Sequence, residues 1–251
     1  MKNAIENVIE QPLREFEKVL SIIIPVYNEE STLECLLKKV IHVKLTNGAG
    51  KEIIIVNDCS RDKSEAIAKY VIGKHPDVAI KYARHEVNSG KGMAIRTGLQ
   101  LVTGDYVVIQ DADLECDPLD LDFLLSYLIT CEKKVVYGSR FLERKNKHSY
   151  LGFYLGGRLV SFFANILYGQ RLTDEPTCYK MFDTGLLKSI PLQCTGFEFC
   201  PEVTAKVSKL GYKIKELPIH YYPRSIKDGK KLKWHDGIKA IWTLLKYRFI
   251  K

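Results

Sequence analysis

The feature that most constrains this chain is a set of short, continuous apolar runs rich in β-branched residues, separated by stretches with helical periodicity. Val19-Leu-Ser-Ile-Ile-Ile-Pro25, Glu52-Ile-Ile-Ile-Val56 and Asp105-Tyr-Val-Val-Ile109 are the clearest, and Lys134-Val-Val-Tyr137 is a weaker fourth. Each is too short for a helix and too uninterrupted for a strand with one wet face, so each reads as a buried parallel strand. Between them, Leu33, Leu36, Leu37 and Val40 share a helical face within 30–42. Ile67, Ala68 and Val71 do so within 64–73, and Ala94, Ile95 and Leu99 within 91–102. Strand–helix alternation in this order predicts an α/β fold, with a mostly parallel, Rossmann-like central sheet flanked by helices. The 251 residues suit one large domain. The pattern predicts an amphipathic leader helix over 1–18, the main domain over 19–223, and a basic loop with an amphipathic C-terminal helix over 224–251.

Charge is unevenly placed. There are 38 Lys and Arg against 30 Asp and Glu, but nine of the former and two of the latter lie from Arg224 onward. A basic tail on a nearly neutral body argues against nucleic acid as a partner of the whole surface. Within 236–250, Ile238, Ile241, Trp242, Leu245 and Phe249 share a helical face, with Lys239, Lys246 and Arg248 elsewhere. Such a helix is of the type that lies on an anionic membrane surface. Residues 149–170 hold a single charge, Arg158. That arginine and Gly152, Gly156 and Gly157 argue against a spanning helix, so an interfacial helix pair or an acceptor groove is expected, with a buried helix or dimer contact as the alternative. No run reaches the roughly 18 apolar residues of a membrane span, and the opening stretch lacks a secretory signal pattern. Seven scattered cysteines without C-x-x-C read as reduced thiols. Dispersed histidines make a zinc site unexpected. A peripheral protein on the cytoplasmic face of a membrane is the resulting expectation.

In parallel α/β sheets, ligands sit outside the carboxyl ends of the strands. The residues leaving the strands here are Pro25-Val-Tyr-Asn-Glu29, Asn57-Asp58 and Gln110-Asp-Ala-Asp113. Carboxylates gathered in one crevice repel unless a cation or hydrogen-bond donors neutralise them. Oxygen ligands without His or Cys suit Mg²⁺ or Mn²⁺, and Mg²⁺ commonly uses one or two carboxylates together with substrate phosphates. The turn after the first run contains no glycine, which disfavours dinucleotide binding, and Gly90-Lys-Gly92 lacks the remainder of a P-loop.

These segments occur in an order that carries a resemblance. Ile24-Pro-Val-Tyr-Asn-Glu29, Ile55-Val-Asn-Asp-Cys-Ser60, Asn88-Ser-Gly-Lys-Gly92 and Asp111-Ala-Asp-Leu-Glu115 come first. Gly138-Ser-Arg140, Asp174-Glu-Pro-Thr-Cys-Tyr-Lys180, and Tyr222-Pro-Arg224 with Gly229-Lys230 follow. Together they resemble family-2 glycosyltransferases of the GT-A fold, most of all the dolichyl- or polyprenyl-phosphate mannose and glucose synthases. The resemblance implies a donor that is a GDP- or UDP-linked nucleotide diphosphate sugar, bound with Mg²⁺ or Mn²⁺, and a polyprenyl phosphate acceptor. A membrane partner protein or a homo-oligomer is a further implied partner.

Residue roles follow from the matching motifs. Pro25, Tyr27, Glu29, Val56 and Asp58 correspond to the base-and-ribose pocket, and Asp111, Ala112 and Asp113 to the D-x-D motif. Asp113 and Glu115 would hold the metal, while Arg140, Arg224 and Lys230 match phosphate-contacting positions. Asn57 stands where the family often has a second Asp, and Glu115 where relatives have Gln or Ser. A hydroxyl acceptor needs a general base, whereas an anionic phosphate monoester can attack the sugar directly if cations hold it. Direct attack implies an inverting, metal-dependent hexosyltransferase. The competing readings are transfer to a sugar or protein hydroxyl, with Asp174 or Glu175 as base, and a silent nucleotide-sugar-binding subunit.

Overall fold

A computed structural model describes residues 6–10, 17–46, 48–143, 146, 151–224 and 234–250. Eight strands form one sheet: β1 (Glu6–Glu10), β2 (Val19–Val26), β3 (Gly50–Asn57), β4 (Ile80–Arg84), β5 (Tyr106–Ile109), β6 (Val135–Ser139), β7 (Lys180–Asp183) and β8 (Lys215–Pro218). Their spatial order is β1-β4-β3-β2-β5-β7-β6-β8. The helices are α1 (Leu33–His42), α2 (Ser64–Lys74), α3 (Lys91–Leu101), α4 (Asp120–Thr130), α5 (Leu151–Tyr168), α6 (Thr184–Ser189), α7 (Phe199–Lys209) and α8 (Trp234–Phe249).

The isoleucine runs form the middle of the sheet because both faces are covered. Ile22, Ile24, Ile53 and Ile55 project into one apolar layer with Leu33 and Leu37 of α1, Ala68 of α2 and Leu124 of α4. Ile23 and Ile54 project into the opposite layer with Ala94 and Ile95 of α3, Val160 of α5, Val203 of α7 and Leu244 of α8. Full burial of each such side chain contributes about 1.5–3 kcal/mol. The parallel pairing of β2 with β3 runs unbroken from Val19↔Gly50 to Val26↔Asn57. A one-residue slip would exchange the faces of every isoleucine, so the two helical layers fix the register.

Three parts depart from the sequence expectation. Glu6–Glu10 is not part of a leader helix but strand β1, antiparallel to β4. The open edge of β4 offers unpaired backbone groups, and a short segment containing Val8 and Ile9 satisfies them better as strand than as helix. The rest of 1–16 lies outside the described residues. Second, 151–168 is one helix, α5, not a helix pair. Added β-carbons at Gly152 and Gly156 would meet open space, so these glycines are not packing points that break it. Third, β7 runs antiparallel to both β5 and β6. Its start therefore lies beside the ends of those two strands, so 174–179 arrives at the same sheet edge as 110–115 and 139–140.

Candidate active site

The chain turns sharply where it leaves β2, β3 and β5. Asn28, Cys59 and Leu114 have φ of 50°, 60° and 60°, a left-handed conformation that costs roughly 1–2 kcal/mol for a residue with a β-carbon. Local hydrogen bonds offset this. The Arg61 N–H donates to the Asn28 side chain at 2.8 Å, the Ser60 N–H to Asn57 at 2.9 Å, and the Glu115 N–H to Asp113 at 3.1 Å. The bends keep short polar side chains at the rim of one crevice.

The acidic residues of this rim have distinct surroundings. Asp58 is buried and accepts from the backbone N–H groups of Ser89 (2.8 Å) and Gly90 (2.7 Å), with His85 Nδ1 at 2.7 Å. Burial alone would raise its pKa, but the combined hydrogen bonds from His85, Ser89 and Gly90 lower it. Asp58 thus fixes the shape of the 85–90 loop beside the end of β3. Val56 lies one layer further in. It is fully buried with Ala94 and Ile95 beneath the sheet edge, because a parallel strand covered on both faces turns this position to the core. Pro25 and Tyr27 are partly exposed at the end of β2, whereas Ala112 packs into the core.

Asp111, Asp113, Glu115 and Glu29 converge with two cations. Lys91 Nζ, at the start of α3, lies 2.6 Å from Asp111 Oδ1 and 2.8 Å from Oδ2. Arg224 donates to Glu29 Oε2 and Asp113 Oδ2, both at 3.1 Å, and its backbone N–H donates to Glu115 Oε1 at 2.9 Å. Two cations do not satisfy four carboxylates. Burial, then the charges of Asp111 and Glu115, push the Asp113 pKa up to about 7 against the opposing effect of Arg224. Lys91 responds in the opposite sense. Burial disfavours its charge, but Asp111 outweighs this and raises its pKa.

Among the described residues, no group of three or more His, Cys, Asp or Glu side chains is arranged to hold a metal ion by itself. Two carboxylates with excess negative charge are nonetheless the donor set that Mg²⁺ uses when substrate phosphates complete its shell. Asp113 and Glu115 fit that role.

The second cationic centre is Arg140, just beyond β6. Its Nε and Nη2 each donate to the Asp174 carboxylate at 2.7 Å, and its backbone N–H donates to the same carboxylate at 2.9 Å. Burial opposes the charge on Arg140, but Asp174 raises its pKa above the ordinary value. The guanidinium also stacks over the Tyr221 ring at 5.2 Å. Asn146 ties the flanking segments together, donating to Arg140 O and Ile219 O at 2.8 Å and accepting from the Tyr221 N–H at 3.0 Å.

Asp174, fully buried, is thus committed to Arg140. Glu175 is also fully buried, accepts from Thr204 at 2.8 Å, and has a pKa raised chiefly by burial. Lys230 lies outside the described residues. Lys91 and Asn146 escaped the sequence reading as site residues. Lys91 had a usable signal, since Gly90-Lys-Gly92 opens a helix directly opposite the D-x-D turn. Asn146 had none, because its partners Ile219 and Tyr221 are more than seventy positions away.

Comparison with known proteins places these features in context. A model described as glycosyl transferase family 2 matches residues 21–190. A dolichyl-phosphate beta-glucosyltransferase of Trichomonas vaginalis is 30% identical over 90% of this chain and 72% of its own length. A UDP-N-acetylglucosamine–dolichyl-phosphate N-acetylglucosaminyltransferase of Methanococcus voltae is 32% identical over 81% of this chain and 85% of its own. Among solved structures, glucosyl-3-phosphoglycerate synthase from Mycobacterium tuberculosis shares the fold. Its complex with Mn²⁺, UDP-glucose and phosphoglyceric acid superposes with a TM-score of 0.69 at 21% identity, covering 94% of this chain and 81% of that one.

Proposed function

The chain belongs to glycosyl transferase family 2, and from that premise we propose that it moves a hexose from a nucleoside diphosphate sugar to a polyprenyl phosphate, with inversion at the anomeric carbon. The observation that carries this reading is the state of the carboxylates around Arg140. Asp174 is consumed by that arginine, and Glu175 is fully buried against Thr204 and Lys180. A hydroxyl acceptor would lack a general base at this end of the crevice, while a phosphate acceptor needs none. The presence of Asp111, Asp113, Lys91 and Arg140 likewise disfavours a silent binding subunit.

Pro25, Tyr27 and Glu29 line the donor end of the crevice, where the base and ribose would lie. Lys91 is aimed at the turn bearing Asp111 and would carry part of the diphosphate charge. Mg²⁺ or Mn²⁺ bound by Asp113 and Glu115 would offset the charge that develops on the departing nucleoside diphosphate. Arg140, held in one orientation by two charge-assisted hydrogen bonds, keeps its remaining N–H groups for an acceptor phosphate. Arg224 and Lys230 would add positive charge where the two anions meet. A phosphate oxygen then attacks C1 of the sugar as the bond from C1 to the donor phosphate breaks, and no proton transfer is required.

The chain would work as a peripheral protein on the cytoplasmic face of a membrane, drawn there by its basic C-terminal segment. No helix among the described residues is long and apolar enough to cross a membrane. The test is a radiolabelled transfer assay with GDP-mannose, UDP-glucose or UDP-N-acetylglucosamine and two acceptors. An organic-extractable, acid-labile product with polyprenyl phosphate, and none with free glycans or polyprenol, supports the reading. Transfer to hydroxyl acceptors alone overturns it.

A further inference from the structure

Two cysteines that lie 62 positions apart in sequence meet beside the crevice, where Cys178 Sγ donates to Cys116 Sγ at 3.1 Å. Both are free thiols. Cys116 is 4% exposed, whereas Cys178 is partly open to solvent. Cys116 is within electrostatic reach of Arg140 and Asp113, and Cys178 of Lys91. The pair therefore sits among the charged groups of the site, yet transfer uses neither thiol. Other cysteines have different surroundings. Cys35 and Cys131 are exposed, and Cys59 and Cys200 donate to the carbonyls of Glu86 and Thr177 at 3.2 and 3.6 Å.

Each thiol is carried by a segment on which the site depends. Cys116 directly follows Glu115, and its backbone is bridged to Tyr221. Glu115 O accepts from the Tyr222 N–H at 2.8 Å, and the Glu115 carboxylate accepts from the Tyr221 hydroxyl at 3.1 Å. Cys178 follows Asp174, which aims Arg140, by four residues. The next residue, Tyr179, is fastened to β6, its carbonyl accepting from the Gly138 N–H at 2.8 Å. A disulfide has an S–S bond of about 2.05 Å, so sulfurs 3.1 Å apart need approach by only about 1 Å.

We propose that Cys116 and Cys178 form a reversible oxidation site, at which a peroxide converts the thiol pair into a disulfide that disarms the transferase. Cys178, the more open thiol, attacks one oxygen of hydrogen peroxide. The O–O bond breaks, Cys178 becomes a sulfenic acid, and the second oxygen leaves as water with the thiol proton. The Cys116 sulfur then attacks the Cys178 sulfur, the S–O bond breaks, and the departing hydroxide leaves as a second water with the Cys116 proton. Two electrons pass from the thiols to the peroxide. Capture by an adjacent thiol spares the sulfenic acid from irreversible oxidation, and a dithiol reductant restores both thiols by exchange. Closing the bond draws the turn carrying Asp113 and Glu115 toward the stretch carrying Asp174. Misplacement of about 1 Å in a reacting site lowers the rate about 10²-fold.

The experiment treats the full chain, reduced and then freed of reductant, with hydrogen peroxide, and blocks the remaining thiols with an alkylating agent. Peptide mass spectrometry should find Cys116 linked to Cys178. Calorimetric binding of UDP or GDP with Mn²⁺ should weaken, transfer should fall about 10²-fold, and dithiothreitol should restore both. Cys178→Ala, at a partly exposed position, should keep basal transfer and resist the peroxide. Cys116→Ala should do the same, and if its buried site does not tolerate the change, Cys178→Ala carries the test alone. A chain with Cys35→Ser, Cys59→Ser and Cys131→Ser should respond as the wild type does. Oxidised wild type without the linked peptide overturns the proposal. So does a linked peptide with undiminished nucleotide binding and transfer, or an equal loss in Cys178→Ala. A chain that forms the link and loses nucleotide binding, yet when reduced transfers nothing to a prenyl phosphate, leaves this site standing and overturns the acceptor assignment instead.

Discussion

Replacing Asp174 by Asn separates the two roles open to this carboxylate in a glycosyltransferase. In the structure it is fully buried and accepts three hydrogen bonds from Arg140, at 2.7, 2.7 and 2.9 Å. Removing one partner of a buried ion pair costs about 3–5 kcal/mol, because the other charge is left without compensation. In a chain of this size each kcal/mol lowers the melting temperature by about 2–4 °C, so Asp174→Asn should melt about 6–20 °C below the wild type. Asn still offers one oxygen to the guanidinium, which favours the lower half of that range, and Asp174→Ala should fall in the upper half. Thermal unfolding followed by circular dichroism measures this, alongside transfer rate against pH. Transfer should fall because Arg140 is no longer aimed, and the shape of the pH profile should be kept. An Asp174→Asn protein that melts within about 2 °C of wild type, with transfer abolished and its acidic limb gone, would show a general base and refute the argument.

Other outcomes follow from the carboxylate cluster. The folded-state pKa of Asp113 is raised from 3.8 to about 7, so its protonated form favours folding below pH 4 and that contribution is lost as pH rises to about 7. The melting temperature of Asp113→Asn should therefore gain on the ligand-free wild type across this window, and the variant should lose metal-dependent nucleotide binding measured by calorimetry. Lys91→Ala should weaken nucleoside diphosphate affinity about tenfold, with nucleoside affinity unchanged, since only the phosphates would meet that charge. Arg224→Ala should reduce transfer by more than about tenfold while shifting nucleotide affinity far less, as read from a direct titration.

The sheet centre was legible because Ile22–Ile24 and Ile53–Ile55 are apolar on consecutive residues, and only a strand covered on both faces tolerates that. Strand β4 was not, because Ile80-Lys-Tyr-Ala-Arg84 carries two cations. Lys81 is accommodated by an ion pair to buried Glu52 at 3.1 Å and by donating to Leu101 O at 2.8 Å and Thr103 Oγ1 at 3.3 Å, partners remote in sequence. Strands β7 and β8 hold four residues each, too few to display a period. The acidic rim was legible from its place after the strands, and the helix over 236–250 from its apolar spacing. The duties of Asp58 and Val56 were not. Strand position places both at the sheet edge, but their contacts with His85, Ser89 and Ala94 come from segments that the motif does not contain. Motif order finds the neighbourhood of a site, and long-range contacts decide which side chains face the substrate.

The antiparallel strand β7 makes the sheet into a ruler. The D-x-D turn leaves β5 and Arg140 leaves β6, with β7 hydrogen-bonded between them. Neighbouring strands lie about 4.8 Å apart, so the two exits are held about 10 Å from each other by backbone ladders. No hinge among these strands can widen that gap. With Arg140 in its proposed role, the enzyme should therefore measure its acceptor by the number of atoms between the attacking oxygen and the charge held by that arginine. A monophosphate carries both on one phosphorus atom, whereas in a prenyl diphosphate the gripped charge and the attacking oxygen shift by one phosphoryl unit. The chain should discriminate between the two by length alone.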